Sequence, residues 1–373
     1  MLKADVIVIG AGPAGSVASA LLGSYGFDVL LVDRAEFPRE KVCGDAIAYS
    51  CIEPLRDLGV EPILKERTVF ETQHLRLLLS DGTSHSVHVR DGEPFVRLIP
   101  RIDLDHLLVK AARSFARVCF IGGCSARTID RVALDEFVVR LEGADVGSAS
   151  APLVIVAAGA ATNLCARRQE PQVTAMRAYF DDLDSLTDSV EFILHERVLP
   201  GYFWIFPLGP RSANIGVASY APRNSLRDEL AWFIQEHPRG RQLRSGRQRG
   251  RARGGMIPVT CSSGSRVEDG IILCGDAGRF GDPLTFHGIG PAIWSGVFAA
   301  QVAKTTVQEG HREGLFEYDD LWRAKFGVSS LFVGTNLFEG VDPMSTARDT
   351  RPIALRSDAA ANYESMFRTL SGG

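Results

Sequence analysis

The chain begins with the pattern that most restricts its fold: a buried strand, a glycine-rich turn, a helix and a second strand ending in an acid. Val6–Ile9 is an unbroken apolar run, typical of a strand buried on both faces of a parallel sheet. Gly10, Gly12 and Gly15 follow with the spacing G-x-G-x-x-G. Asp33 ends the next apolar run. Its separation from Gly15 is close to the ~20 residues expected of an acid that holds a ribose hydroxyl. The pattern predicts an α/β dinucleotide-binding unit.

Each residue of the turn has a physical task in such a unit. Gly10 makes the tight turn, Gly12 lets the backbone approach a pyrophosphate, and Gly15 lets helix and strand pack closely. Pro13 and Ala14 complete the predicted loop at the start of the helix. The pyrophosphate is expected at this helix N-terminus, where free N–H groups and the positive end of the dipole favour an anion.

Composition narrows the class of protein further. A chain of 373 residues predicts two packed domains, and a net charge of −4 gives no reason to expect nucleic acid. No apolar run reaches the ~20 residues of a membrane span, and nothing before Asp5 resembles a signal peptide. The 7 cysteines include no C-x-x-C pair. We therefore expect reduced thiols, a cytoplasmic location and no metal site.

Basic residues follow Asp33 closely. Arg34, Arg39 and Lys41 lie just before Gly44. They form either a loop that wraps a long cofactor, with its cations near phosphates, or a solvated charged turn. Composition alone leaves both interpretations open.

The stretch Pro38–Asp45 reads P-R-E-K-V-C-G-D, and after such a start it resembles the geranylgeranyl reductase family. This is a branch of the FAD-dependent oxidoreductases that share the p-hydroxybenzoate hydroxylase fold, and further matches extend from Asp5 to about Gly327. The resemblance implies FAD as the cofactor, with Cys43 and Gly44 beside it. It also implies a Rossmann-type FAD-binding domain, an inserted antiparallel β-sheet substrate domain and C-terminal helices.

Two further segments resemble the family's flavin-site motifs. Arg101 begins a stretch similar to R-x-x-L/F-D-x-x-L, which implies a cofactor contact; the alternative is a helix-start arginine in solvent. The stretch 152–168 resembles A-D-G-A-x-S-x-x-x-R, and it keeps Gly159 for the turn. Ala158 replaces the acid and Thr162 the serine. The lost carboxylate predicts poor direct use of NADPH. Two electron donors stay open, namely NAD(P)H and a partner reductase.

An aromatic strand is predicted at Pro200–Leu208, which reads P-G-Y-F-W-I-F-P-L and resembles the family's P-G-Y-G-W-x-F-P. Alternation would place Tyr202, Trp204 and Phe206 on one face, where they either line a substrate cavity or belong to a plain core. A similar strand occurs in flavin-dependent halogenases, but Phe206 stands where their second tryptophan would be.

A second glycine-rich segment resembles G-D-A-A-G-x-x-x-P-x-x-G-x-G-I. Gly275 and Asp276 end a short apolar strand, and Gly288, Ile289 and Gly290 begin a helix. The resemblance implies that Asp276 binds the ribityl chain of the flavin. N–H groups at the helix start would face the pyrimidine end, where negative charge develops on reduction.

Three candidate catalytic residues come from these segments: Cys43, Trp204 and His287. Cys43 is either a thiol that relays a proton and shapes the pocket or a small buried side chain. His287 could donate a proton or tune the flavin, or it could be a packed loop residue.

Other segments predict the remaining organisation. Leu75–Leu79 and residues 85–89 read as a hairpin around Asp81 and Gly82, while residues 176–180 and 191–194 read as strands. The arginine-rich stretch 239–253 reads as a mobile solvated loop rather than a nucleic-acid patch. A covering helix pair is predicted from Phe316, Leu321, Phe326, Leu331 and Phe332.

We expect a discontinuous FAD-binding domain of residues 1–67, 98–170 and 262–310, a substrate domain of residues 68–97 and 171–261, and a helical region of residues 311–373. The expected activity is that of an FAD-dependent oxidoreductase acting on the double bond of an unsaturated, largely apolar small molecule by reduction or dehydrogenation. The alternatives are a monooxygenase or halogenase, and a flavin-binding protein without turnover. The absence of a second G-x-G-x-x-G argues against a separate nicotinamide domain.

Overall fold

The computed structural model describes residues 1–79, 82–88, 96–143, 146–165, 172–220, 222–260, 264–283, 285–309 and 312–326. The strands are β1 (Leu2–Lys3), β2 (Val6–Ile9), β3 (Val29–Val32), β4 (Ala46–Ala48), β5 (Phe70–Thr72), β6 (His74–Leu78), β7 (Ser84–His88), β8 (Val96–Leu98), β9 (Val118–Ile121), β10 (Ser125–Ala133), β11 (Glu136–Glu142), β12 (Ser148–Ala151), β13 (Leu153–Val156), β14 (Gln172–Asp181), β15 (Ser189–Ile193), β16 (Gly201–Gly209), β17 (Ser212–Ser219), β18 (Arg247–Pro258), β19 (Val267–Glu268) and β20 (Ile271–Leu273). The α-helices are α1 (Pro13–Ser24), α2 (Glu53–Arg56), α3 (Glu61–Arg67), α4 (Arg101–Arg113), α5 (Leu226–Gln235), α6 (Pro238–Arg241), α7 (Ile289–Glu309) and α8 (Glu317–Phe326).

The nucleotide half is built on a six-stranded sheet with the order β19-β20-β13-β2-β3-β9. Its β2, β3 and β13 are short aliphatic strands buried along their whole length, because helices α1 and α7 cover one face of the sheet and strands β11 and β12 cover the other. The pairs β13–β2, β2–β3 and β3–β9 are all parallel. The predicted strand–turn–helix–strand unit is confirmed, with α1 between β2 and β3.

The second half is a seven-stranded sheet with the order β18-β14-β17-β16-β15-β6-β7. All its pairs are antiparallel except β15–β6, and the predicted hairpin of β6 and β7 is confirmed. Of the predicted turn, Gly82 adopts φ +86°. Asp81 lies outside the described residues.

Side-chain alternation gives the seven-stranded sheet two different faces. On the helix face, Phe203 and Ile205 pack in a buried cluster with Phe233 of α5. On the opposite face, Tyr202 and Trp204 belong to a second cluster. We call the first the helix face and the second the cavity face.

Two smaller sheets complete the architecture. A four-stranded sheet has the order β1-β12-β11-β10, and a three-stranded sheet has the order β4-β8-β5. The three-stranded sheet joins segments on both sides of the expected domain boundaries, since β8 pairs with both β4 and β5. The division into a cofactor domain and a substrate domain stays a prediction.

The prediction of a mobile solvated loop for the arginine-rich stretch 239–253 is wrong. Arg239 lies in α6, with its side chain buried, and Arg247–Pro258 forms β18. The sequence of β18 has little strand propensity, so its conformation comes from antiparallel pairing with β14.

The C-terminal helix prediction is confirmed only in part. The helix α8 buries Tyr318 and Trp322 rather than Phe316, which is 61% exposed at the end of a 3₁₀ turn. Leu331 and Phe332 lie outside the described residues. In the part of the chain that is described, no helix combines the length and apolarity needed to cross a bilayer.

Candidate FAD and substrate site

The predicted site residues meet at one cavity of about 1050 Å³, which has walls from both large sheets. The predicted cofactor residues that line it are Gly10, Gly12, Pro13, Ala14, Asp33, Arg34, Arg39, Lys41, Cys43, Gly44, Arg101, Gly159, Gly275, Asp276, Gly288, Ile289 and Gly290. The other predicted residues that line it are Tyr202, Trp204, Phe206 and His287. Gly15 does not line it, because it lies beneath the loop, where an added Cβ would meet the Gly10 carbonyl oxygen at 1.8 Å.

The glycine loop presents open backbone to one end of the cavity. Gly10 has φ +103°, and an added Cβ would meet the Ala157 carbonyl oxygen at 2.3 Å. At Gly12 the nearest atom to such a Cβ is Nη2 of Arg39, 3.7 Å away. The first turn of α1 therefore borders the cavity with a guanidinium nearby, which suits a phosphate group.

Asp33 fixes the geometry of this loop. Its Oδ2 accepts a hydrogen bond from the Ala11 N–H at 2.7 Å, and its Oδ1 accepts from the Ala35 N–H at 2.8 Å. Each carboxylate oxygen retains a lone pair. Binding of a ribose hydroxyl by Asp33 is compatible with these contacts and stays a prediction.

A buried ion pair holds Arg101 at the cavity wall. Its Nε and Nη2 donate to Asp105 at 2.7 and 2.8 Å, and Nη1 of Arg39 lies 3.1 Å from the same carboxylate. Arg101 is 4% exposed, so the alternative of a solvent arginine is wrong. The four-residue spacing on α4 places both groups of the Arg101–Asp105 pair on one helix face.

Lys41 and Asp276 connect the basic loop to the second glycine-rich segment. Their Nζ and Oδ2 atoms are 2.8 Å apart. Burial alone would raise the pKa of Asp276, but the charge and hydrogen bond of Lys41, together with the charge of Arg101, lower it. Asp276 therefore presents an ionised carboxylate to the cavity, able to accept from a hydroxyl.

His287 lies immediately before α7 and is neutral at physiological pH. Burial lowers its pKa to about 4. Its Nε2 accepts from the Gly290 N–H at 3.2 Å and lies 3.6 Å from Cys51 Sγ. Since Nε2 is an acceptor, the neutral ring carries its hydrogen on Nδ1. This arrangement favours a residue that fixes the helix start.

Cys43 and Gly44 pass close to the aromatic strand. Burial raises the pKa of the Cys43 thiol, although the charge of Arg101 opposes this, so the thiol is protonated at neutral pH. An added Cβ at Gly44 would meet Cε2 of Phe206 at 2.9 Å. Only glycine lets the backbone run this close to the ring.

The predicted aromatic wall is present on the cavity face. The ring centroids of Tyr202 and Trp204 are 6.3 Å apart, and those of Trp204 and Phe206 are 6.0 Å apart. Phe192 adds an edge contact to Phe206 at 5.3 Å, and Phe286 stacks on Tyr202 at 5.2 Å. The alternation predicted for β16 is confirmed, and the rings form a continuous apolar surface.

The segment that lacks the expected acid also borders the cavity. Ala158, Gly159 and Thr162 line it, and Gly159 has φ +81°. The Thr162 hydroxyl accepts from the Leu164 N–H at 3.2 Å. Arg167 and Arg168 of the same predicted segment lie outside the described residues.

Sequence reasoning missed a polar network beside Cys43. Asp45 adopts φ +66° and accepts from the Tyr179 hydroxyl at 2.7 Å and from Asn214 Nδ2 at 2.9 Å. Asn214 also donates to the Cys43 carbonyl at 2.8 Å and accepts from Trp204 Nε1 at 3.0 Å. One signal was available, because alternation places Tyr179 on the same face of β14 as Arg177, which marks that face as partly polar.

The donors and acceptors around the cavity fit FAD. The open backbone at Gly12 with Arg39 suits phosphates, Asp33 and Asp276 suit hydroxyl groups, and the aromatic wall suits a planar ring. Among the described residues, no cluster of His, Cys, Asp and Glu is arranged to hold a metal ion.

Comparisons with known proteins agree with this geometry. Residues 3–132 match the family described as the FAD binding domain. The chain is 30% identical to digeranylgeranylglycerophospholipid reductase 1 of Methanopyrus kandleri, over 99% of this chain and 97% of that protein. It is also 30% identical to the menaquinone reductase of Mycobacterium tuberculosis, over 80% and 76% of the two chains. A geranylgeranyl bacteriochlorophyll reductase-like protein from Thermoplasma acidophilum superposes with a TM-score of 0.79 at 20% identity, covering 100% and 99%.

Proposed function

The chain belongs to the geranylgeranyl reductase family of FAD-dependent oxidoreductases, and from that premise we propose that it reduces a carbon–carbon double bond in an unsaturated, largely apolar small molecule. The observation that carries the proposal is the wall of Tyr202, Trp204 and Phe206 beside the Cys43–Gly44 turn. The relatives support it, since they are named as reductases of a digeranylgeranylglycerophospholipid and of menaquinone.

The proposed cofactor contacts follow the cavity from end to end. We assign the phosphates to the loop at Gly12 with Arg39, the ribose to Asp33, the ribityl chain to Asp276, and the pyrimidine end to the start of α7 at Gly288. FAD, when bound, supplies the hydride for the reduction. The aromatic wall holds the alkene and excludes water from it.

Cys43 is the better proton donor of the two sequence candidates. Its raised pKa keeps the thiol protonated at neutral pH, whereas burial keeps His287 neutral with Nε2 engaged by the Gly290 N–H. We therefore propose that the Cys43 thiol delivers the proton that completes double-bond reduction. His287 acts as a positioning residue.

The electron donor is proposed to be a partner reductase rather than NADPH used directly. Ala158 lies at the cavity where the family pattern carries an acid. We expect NADPH to bleach the flavin slowly and a chemical reductant to bleach it fast. If Ala158→Asp leaves the NADPH rate unchanged, the missing carboxylate is not the reason.

The test of the proposed function uses chemically reduced enzyme without oxygen. Mixing with farnesol is expected to restore the oxidised flavin spectrum and yield a product two hydrogens heavier, with one carbon–carbon double bond saturated. Cys43→Ala should slow this reoxidation, and Cys43→Ser should retain part of it. If reoxidation with a substrate requires oxygen, and the product gains an oxygen atom, the chain is a monooxygenase instead.

A further inference from the structure

Arg177 stands in the cavity wall without an ionic partner. It lies near the middle of β14, its side chain is 4% exposed, and it lines the cavity beside Ala175. The Arg177 side chain forms no hydrogen bond or ion pair with any other residue within the described ranges, and its buried Nε has no hydrogen-bond partner. Its guanidinium packs over the Tyr179 ring, 4.0 Å from the centroid.

Burial raises the pKa of the Asp45 carboxyl more than the charge of Arg177 lowers it, but no ion pair joins the two side chains. Asp45 already accepts from the Tyr179 hydroxyl, from Asn214 Nδ2 and from the Arg101 N–H. Arginine remains charged at any physiological pH, and a buried charge is costly unless it is paired. An anion that enters the cavity would therefore gain both the charge of Arg177 and its free N–H donors.

Sheet register places this charge in line with the aromatic wall. Gly216 on β17 is the cross-strand partner of both Arg177 on β14 and Trp204 on β16. The two side chains thus share one row of the cavity face, roughly 10 Å apart at two strand spacings. An added Cβ at Gly216 would meet Cζ2 of Trp204 at 2.2 Å, so the indole lies flat across the strand that separates them.

We propose that the substrate is an amphipathic acid, with a carboxylate or phosphate that pairs with Arg177 and an apolar part that lies on Trp204. The double bond in that apolar part rests on the proposed function, whereas the anionic group rests on Arg177 alone. The loop at Gly12 with Arg39 is on the other large sheet, so the phosphates assigned there do not supply this anion.

Binding to the oxidised, FAD-loaded protein tests the proposal without turnover. Farnesoate, farnesyl phosphate and farnesol are titrated separately while the flavin absorbance is followed. We expect at least one anion to bind more tightly than farnesol. Arg177→Met should weaken the binding of that anion by at least about tenfold, as expected for a lost charge-assisted hydrogen bond. The affinity for farnesol should stay unchanged. The anion with the larger loss identifies the group as carboxylate or phosphate.

Matched variants separate this contact from general effects on folding. Arg247→Met removes an arginine that is 68% exposed on the neighbouring strand, and it should leave all three affinities unchanged. Arg177→Lys should retain part of the preference for the anion, and Arg177→Gln offers a polar replacement if the methionine variant does not load FAD.

The proposal is wrong if the unmodified protein binds neither anion more tightly than farnesol, or if Arg177→Met weakens all three ligands equally. A normal preference for an anion together with no reduction of the double bond would refute the proposed function and leave the role of Arg177 standing.

Discussion

The two faces of the seven-stranded sheet treat buried arginine in opposite ways. On the helix face, Arg239 donates to both carboxylate oxygens of Glu191 at 2.8 and 2.6 Å and to Gln242 at 2.8 Å. On the cavity face, the Arg177 side chain has neither an ion pair nor a hydrogen bond among the described residues. The first charge is satisfied within the fold, so that removing one partner would leave a buried carboxylate unpaired, whereas the second is left for a ligand.

Arg239→Met should produce the largest effect, because it leaves the buried Glu191 carboxylate without its partner. We expect a loss of about 3–5 kcal/mol in the free energy of unfolding. Urea unfolding at equal free FAD measures it, since bound ligand adds to apparent stability. Arg177→Met is the counterpart and should be no less stable than the unmodified protein. Equal losses for the two variants would contradict the distinction between the faces.

Asp276→Ala extends the comparison to a charged residue that lines the cavity and is proposed to bind FAD. If Asp276 accepts from a ribityl hydroxyl as proposed, its removal should weaken FAD binding by about 1.5–3 kcal/mol. Fluorescence titration of the FAD-free protein measures the affinity. Asp184→Ala is the control, because this acid pairs with Arg211 at the surface. Unchanged FAD affinity in Asp276→Ala would remove this residue from the site.

Lowering the pH should destabilise the folded protein through two buried histidines, one on each side of the seven-stranded sheet. Burial lowers the pKa values of His237 and His287 to about 4. Unfolded histidine binds a proton near pH 6.5, so stability is full above that value and is lost as pH falls from 6.5 towards 4. His237→Asn keeps an acceptor for the Arg239 N–H, now bonded to Nδ1.

The readout is the slope of unfolding free energy against pH, measured by urea unfolding between these two values. His237→Asn should reduce it by up to about 1.4 kcal/mol per pH unit. His287→Gln should do the same from the cavity side. An unaltered slope in either variant would mean that the histidine is already protonated in the folded state.

The smallest expected effect comes from removing one methylene group from a side chain on each face of the sheet. Ile205→Val, at a fully buried position of the helix face, should cost about 0.5–1.5 kcal/mol. Ile257→Val should cost less, because this residue is half-buried at the edge of an existing cavity. Thermal unfolding of both variants measures the pair. A larger loss at Ile257 would show that the cavity face is packed as tightly as the helix face.

Local sequence patterns predicted the parts of this molecule that depend on local rules. The unit from Val6 to Asp33 is a strand, a turn and a helix whose glycine positions are dictated by close backbone contact. The shared face of Tyr202, Trp204 and Phe206 follows from the two-residue period of a strand. Both features are short in sequence, so a single segment contains all the information they need.

The missed features all join distant segments. Tyr179 reaches Asp45 across 134 positions, and Arg239 reaches Glu191 across 48. Neither pairing leaves a trace in the spacing of one segment. The strand β18 was misread for the same reason, since only its pairing with β14 makes a strand of glycine and arginine.

The position of β18 at the edge of its sheet means that its arginines bear on how two molecules can associate. It is the outer strand of its sheet among the described elements, so one row of its backbone N–H and C=O groups has no neighbouring strand there. Such an edge is a template for pairing with the edge of another molecule. Arg247, Arg249 and Arg253 are exposed along it, and a register shift opposite Arg177–Tyr179 bends it. Charged side chains along an edge and a bend in it both disfavour edge-to-edge pairing of two copies.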